Sequence, residues 1–260
     1  MLPVFASEKG TVCLKPVVQR IFEQLFDLDL REFCFIVGKG KRALEDHFTP
    51  DREYVQQLTK RGRSAQAFQL RQFYDRLAAS TIVWINQPEP QGFGHAVLQA
   101  EPFVGHETFL VHAGDNYITS KHASIHMRLL RAHFRNGADA TLAVQELSDP
   151  RQHGVAEVHG TDKNALQVVR VEEKPKHPKS KFAIVPVYIF TESIFDSLRK
   201  TKTDRKGEIQ LTDGIQTLLR SGGRVQAVCL RPHDVRLDIG MPETYWKALE
   251  ISYHNAKHTR

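Results

Sequence analysis

At 260 residues the chain is long enough for one large domain with a substantial core, and 41% apolar against 25% charged residues place it among ordinary soluble globular proteins. A net charge of +6 and a pI near 9.2 suit an anionic partner such as a nucleotide or sugar phosphate. No nucleic-acid motif accompanies that charge, so it reads as a solvated basic surface and not as a nucleic-acid footprint. Cys13, Cys34 and Cys229 lie far apart, with no Cys-x-x-Cys pair and no even framework, which suits a reducing cytosol. The start, MLPVFASEKG, lacks the basic end and apolar run of a secretory signal. The longest apolar run, residues 182–190, is far too short to span a bilayer, and a cytoplasmic location follows.

In chain order, residues 1–15 read as irregular, and Lys15-Pro16 opens a helix with proline in its first turn. Val17, Ile21, Phe22, Leu25 and Leu28 recur at helical spacing and give it one buried face. Residues 32–37 form a nearly continuous apolar strand, the pattern of a strand covered on both faces as in a parallel sheet, with Cys34 in the core. Gly38-x-Gly40-x-x-Ala43 follows and matches a dinucleotide fingerprint. Its context fails: no acid closes a second strand about twenty residues on, and the next strand begins only near Thr81. Residues 51–79 read as a polar helical pair that covers a sheet edge or builds a subunit contact.

Residues 81–117 organise the chain. Residues 81–85 suit a buried strand, which Pro88 and Pro90 end. Gly92 and Gly94 flank Phe93 and lead into a short helix; residues 109–111 form a second buried strand that ends at Gly114-Asp115-Asn116. An acid just past the carboxyl end of such a strand points to the crevice where open α/β sheets bind ligands. The plainer alternatives are a glycine turn and an Asx turn. Residues 121–135 read as a helix stopped by Asn136-Gly137, with His122 and His126 as a solvated pair, since no third ligand completes a zinc pattern. From Ala140 strands follow in quick succession, then two short helices, two more strands and a closing helix from Pro242. Glu208 reads as a helix-start acid that complements the dipole. No repeat, linker or sharp boundary appears, so residues 1–260 are expected to form a single domain.

Asp115 and Asp238 both follow apolar strands and lie beside glycines, Gly114 and Gly240. Two such carboxylates can share one hard cation with phosphate oxygens. Between them, Glu172-Glu173-Lys174-Pro175 stands at another strand end, either as a charged turn or as an acid and a lysine suited to a sugar hydroxyl and a phosphate.

With these residues in place, the chain resembles the sugar-1-phosphate nucleotidyltransferases, and among them the UTP–glucose-1-phosphate uridylyltransferases. The matching segments are LKPVVQRIFEQL, IVGKGKRALEDHF, GFGHAVLQAEPFVG, AGDNY, VEEKP, FAIVPVYIF, GEIQLTDGI and LDIGMPETY, in family order. The resemblance implies an α/β fold: a Rossmann-like, mostly parallel sheet flanked by helices, with a smaller β-rich part that binds the sugar. It implies nucleotidyl transfer from UTP to glucose 1-phosphate, with Mg²⁺ held by Asp115 and Asp238. Gln87 and Gly92 match positions that contact the base, Glu173 and Lys174 those that contact sugar and phosphate, and Gly154 a backbone position beside the sugar. Asp115 and Lys174 are thereby the expected catalytic residues, and a homo-oligomer without nucleic-acid or membrane partners is expected. Uracil and thymine are poorly separated at this level, so a thymidylyltransferase stays open. So does a non-catalytic sugar-nucleotide-binding relative, for one reason: the family's first strand, its G-x-G-T-R loop and a following lysine have no counterpart in these residues. On that ground the fold is expected to lack its first strand and the chain as written to have little transferase activity.

Overall fold

The structure is a computed structural model that describes residues 1–8, 10–120 and 123–258. It divides into two compact units, one of Met1–Glu89 with Leu249–Arg260 and one of Pro90–Ala248. The single-domain expectation did not foresee this division, which falls in the Pro88-Glu89-Pro90 stretch that ends a strand.

In the first unit, β1 (Pro3–Glu8) and β2 (Thr11–Pro16) form an antiparallel hairpin, where the sequence reads as irregular. Its inward face is short and mixed, with Val4 and Ala6 buried beside an ion pair of Lys15 with Glu8, so no clear alternation announces it. Helix α1 (Val17–Phe26) follows directly, then β3 (Glu32–Gly38), α2 (Arg42–His47), α3 (Arg52–Lys60), α4 (Ser64–Ala78) and β4 (Thr81–Gln87). Strands β3 and β4 pair in parallel from Glu32↔Thr81 to Gly38↔Gln87. Phe22 on α1 packs against Phe26, Phe33, Phe48 and Phe73, which gathers α1, α4 and the β3 strand around one aromatic core.

The second unit opens with α5 (Phe93–Gln99) and α6 (Glu101–Val104), then β5 (Phe109–His112) and β6 (Asn116–Thr119). Next come α7 (Ile125–Asn136), β7 (Ala140–Glu146), β8 (Gly154–His159), β9 (Leu166–Glu173) and β10 (Phe182–Phe190). It closes with α8 (Ser193–Lys200), α9 (Leu211–Arg220), β11 (Val225–Cys229) and β12 (Val235–Asp238); α10 (Pro242–His258) begins here and ends in the first unit. The six-stranded sheet runs β5-β10-β7-β11-β9-β8, and β12 pairs with β6. Within that sheet β7 and β11 are parallel and the other pairs antiparallel. The mostly parallel expectation is therefore corrected to a mixed sheet. An unbroken apolar strand reports cover on both faces, and β10 has it while running antiparallel to both β5 and β7. On one side Leu142 and Val144 of β7 pack with Ile194, Leu198 and Ile215 of α8 and α9; on the other, Ala143 packs with Ile125 and Leu129 of α7. The β-rich half is likewise not a separate part, since β8 and β9 continue the sheet that carries β5.

Helix α7 is framed as its sequence dictates. The Ser124 hydroxyl caps its start by accepting from Met127 N at 3.2 Å, and Gly137 in the left-handed conformation, φ 56°, ends it. His126 corrects the solvated-pair reading: it is fully buried and stacks on His112, with centroids 5.2 Å apart. His122 lies outside the described residues. Glu208 is likewise not on a helix, because α9 starts at Leu211 with Gln210 as its cap.

Candidate active site

The hairpin-like pairing of β6 with β12 builds the acid pair. Asp115 stands one residue before β6 and Asp238 is the last residue of β12, directly opposite Asn116 in register. A methyl group placed on Gly240 would meet Asp238 Oδ1 at 3.3 Å and Asp115 Oδ2 at 3.5 Å. The two oxygens thus face one point and are no farther apart than those two distances end to end. Gly240 N–H donates to Asp238 Oδ1 at 2.9 Å, and Ile239 N–H donates to the Asp115 carbonyl at 2.9 Å, which locks the two turns together. The donor set suits a hard cation: two carboxylates turned to a cradle that a Cβ would fill, with room for phosphate oxygens and water to complete the shell. No cluster of three or more His, Cys, Asp or Glu with metal-binding geometry occurs among the described residues, so such a cation would depend on its substrate for ligands.

A pocket of about 170 Å³ opens beside this pair, against the roughly 10–15 Å³ that one water needs. Phe93, His153, Gly154, Glu173, Tyr188, Gln210, Thr212 and Arg236 line it. Gly154 on β8 pairs with Glu173 on β9. A Cβ at Gly154 would meet Thr212 Oγ1 at 2.8 Å and Glu173 Oε2 at 3.1 Å. The Thr212 hydroxyl donates to Glu173 Oε2 at 2.7 Å, so glycine makes room for a carboxylate held by the first turn of α9. Lys174 follows with φ 42°, a conformation that non-glycine residues adopt at a cost, and its N–H donates to the His153 carbonyl at 3.1 Å. Its ammonium reaches solvent 3.7 Å from Glu173 Oε1. Burial pushes the His153 imidazole pKa down, as does the Arg236 charge, while Asp238 and Glu173 push it up. Burial raises the Asp213 carboxyl pKa, reinforced by Glu173.

Asp115, Asp238, Gly154, Glu173 and Lys174 thus gather in the second unit. Gly92 shares that unit, but its φ of 96° and its contact with the backbone of Ile209, 2.6 Å from a Cβ to the carbonyl oxygen, give it a packing role whatever else it does. Phe93, beside it, is the residue that lines the pocket. Gln87 ends β4 in the first unit, opposite Gly38. Sequence reasoning missed Arg236, Thr212 and His153. Arg236 had a signal: two residues before Asp238 on a strand, it shares that acid's face. Thr212 had none, because its partner is 39 positions away.

A model of the nucleotidyl transferase family matches residues 12–254. A UTP–glucose-1-phosphate uridylyltransferase of Streptococcus pyogenes is 32% identical over 220 residues, 82% of this chain and 71% of its own length. Another, from Pseudomonas aeruginosa, is 28% identical over 253 residues, 96% and 88% of the two chains. Among solved structures, an apo UDP-glucose pyrophosphorylase superposes with a TM-score of 0.85 at 25% identity, covering 93% of this chain and 88% of that one. A UTP-bound enzyme from Acinetobacter baumannii shares the fold with a TM-score of 0.82 at 22% identity. The family model's match over residues 12–254 and a relative 32% identical over 82% of this chain establish that the chain belongs to the nucleotidyl transferase family.

Proposed function

We propose that the chain transfers a uridylyl group from UTP to glucose 1-phosphate. A phosphate oxygen of the sugar phosphate attacks the α-phosphorus of UTP, the α–β anhydride bond breaks, and UDP-glucose and pyrophosphate leave. The observation that carries the reading is the placement of the Asp115–Asp238 pair beside a pocket whose Glu173 is fixed by Thr212, in a chain whose relatives bear that activity in their names. Asp115 and Asp238 would hold Mg²⁺, which when bound supplies charge neutralisation at the phosphates. Glu173, its Oε2 accepting from Thr212, takes sugar hydroxyls, and the backbone of Gly154 lies along the sugar. Lys174 meets the sugar phosphate from the solvent side, and Gly92 of the same unit takes the base. The work of these groups is positioning and electrostatics, as in other phosphoryl chemistry. We place this activity in the cytoplasm, in a homo-oligomer whose partners are small molecules; no helix among the described residues is long and apolar enough to cross a membrane.

The test pairs a pyrophosphate-release assay, with UTP and with dTTP, with calorimetry of UDP-glucose binding. Turnover with UTP well above that with dTTP is expected under this reading and would overturn the expectation of little activity drawn from the unmatched glycine-rich loop; Lys174→Ala should then raise KM for glucose 1-phosphate by about tenfold or more with UTP use spared. UDP-glucose binding without turnover would turn the reading into that of a binding protein, and neither binding nor turnover would end it.

A further inference from the structure

Hydrogen bonds from the protein hold one oxygen of Asp115 and both of Asp238, whose Oδ1 accepts from Gly240 N–H at 2.9 Å. Asp115 Oδ1 accepts from Asn116 Nδ2 at 2.7 Å, and Asp238 Oδ2 accepts from Arg236 Nη2 at 3.0 Å. Arg236 Nε donates to Asn116 Oδ1 at 2.6 Å, so one guanidinium meets Asp238 directly and Asp115 through a single asparagine. The other oxygens, Asp115 Oδ2 and Asp238 Oδ1, are those that face the bare Cα of Gly240. The Arg236 side chain is only 11% exposed, yet it also lines the pocket with Glu173 and His153. A guanidinium stays protonated in proteins, so this charge is permanent.

We infer that Arg236 is the resident counter-charge of the acid pair. It keeps Asp115 and Asp238 in register, and its charge opposes tight divalent-cation binding until an anionic substrate enters the pocket it lines. The inference rests on the reading of Asp115 and Asp238 as cation ligands given above. A fixed positive charge a few ångströms from a cation site weakens that site directly. A phosphate in the pocket offsets the same charge, so cation and sugar phosphate strengthen each other's binding, and do so reciprocally. A merely structural arginine has the opposite signature: removing it slackens the acids and weakens cation binding.

The sign of the change is therefore the readout. Mn²⁺ binding to the full chain, free of nucleotide and sugar, is followed by the electron paramagnetic resonance of free Mn²⁺ for the wild type, R236Q, R236K and D115N. R236Q should bind Mn²⁺ about tenfold more tightly than the wild type, and R236K like the wild type. Saturating glucose 1-phosphate should tighten Mn²⁺ binding by a larger factor in the wild type than in R236Q. Equal or weaker binding in R236Q overturns the inference. Should R236Q not fold, the other arms decide: a tightened R236K, or a wild type indifferent to glucose 1-phosphate, overturns it equally. D115N separates the two levels. If it binds Mn²⁺ as the wild type does, the cation-ligand reading itself fails and takes the inference with it. If D115N abolishes binding while R236Q does not tighten it, the inference alone fails.

Discussion

Gly154 shows how one missing side chain sets a site. Its backbone φ lies outside the left-handed region, so alanine is conformationally acceptable there; the obstacle is Thr212 Oγ1, 2.8 Å from the Cβ position. The Gly154→Ala methyl must turn Thr212 away and break its 2.7 Å bond to Glu173. We predict a folded protein whose kcat/KM for glucose 1-phosphate falls by about 10²-fold, as ångström-scale misplacement of a positioning group does, with KM for UTP little changed. Steady-state kinetics with each substrate varied checks this, and an unchanged KM for glucose 1-phosphate would remove Glu173 from the sugar site. At this scale the sequence was informative where chemistry is local. Asp115 and Asp238 each stand beside a glycine after an apolar run, and their meeting follows from the pairing of β6 with β12. It was silent where a residue acts through a distant partner, as Thr212 does, since nothing in the segment 208–214 points to residue 173.

At the level of elements, most strands of the second unit were legible and their directions were not, whereas β3 was read as a parallel strand and pairs so with β4. Residues 182–190 declare a strand buried on both faces, but α7 on one side and α8 with α9 on the other produce that pattern for either strand direction. The short β6 strand escaped notice because its four residues, beginning at Asn116, look like the tail of a turn. What anchors β12, and with it Asp238, is a buried ion pair that no local pattern announces. Asp234 accepts from Arg128 of α7 and from Arg231 N–H at 2.7 Å, while Arg128 Nη1 donates to the Cys229 carbonyl at 2.9 Å. Both side chains are buried, so removing one leaves the other charge stranded. Asp234→Asn should cost about 3–5 kcal/mol, and the apolar pair Arg128→Met with Asp234→Leu should recover most of that loss. Urea unfolding of the three proteins checks both statements; a single variant as stable as the wild type would show that β12 is held by other contacts.

Over the whole molecule, the buried histidines make acid the stress to which the fold is exposed. His126 has neither ring nitrogen hydrogen-bonded among the described residues, nor has His112 at Nε2, and the two rings stack inside the second unit. Burial lowers the His112 pKa to about 4, with the Ala113 carbonyl and Asp115 opposing the shift. Burial, reinforced by His112, holds the His126 pKa well below its usual value. An imidazole with a depressed folded pKa takes up its proton more readily in the unfolded chain. Its contribution to stability is therefore fully present above an unfolded pKa near 6.5 and is lost as pH falls toward the folded value. Each such group removes about 1.4 kcal/mol per pH unit within that window. The chain already carries a net charge of +6 with its histidines neutral, so every further proton also adds self-repulsion. We predict that the wild type loses about 2 kcal/mol between pH 6.5 and pH 5 through His112, and a further amount of the same sign through His126. His126→Leu removes one buried base and should make that loss smaller, while leaving stability at pH 8 equal or higher because two unsatisfied nitrogens disappear. Urea unfolding free energies measured at pH 8, 6.5 and 5 decide the matter. Parallel pH profiles for the two proteins would show that the acid sensitivity lies in other groups, and a variant that is steeper than the wild type would mean that His126 is charged in the folded state.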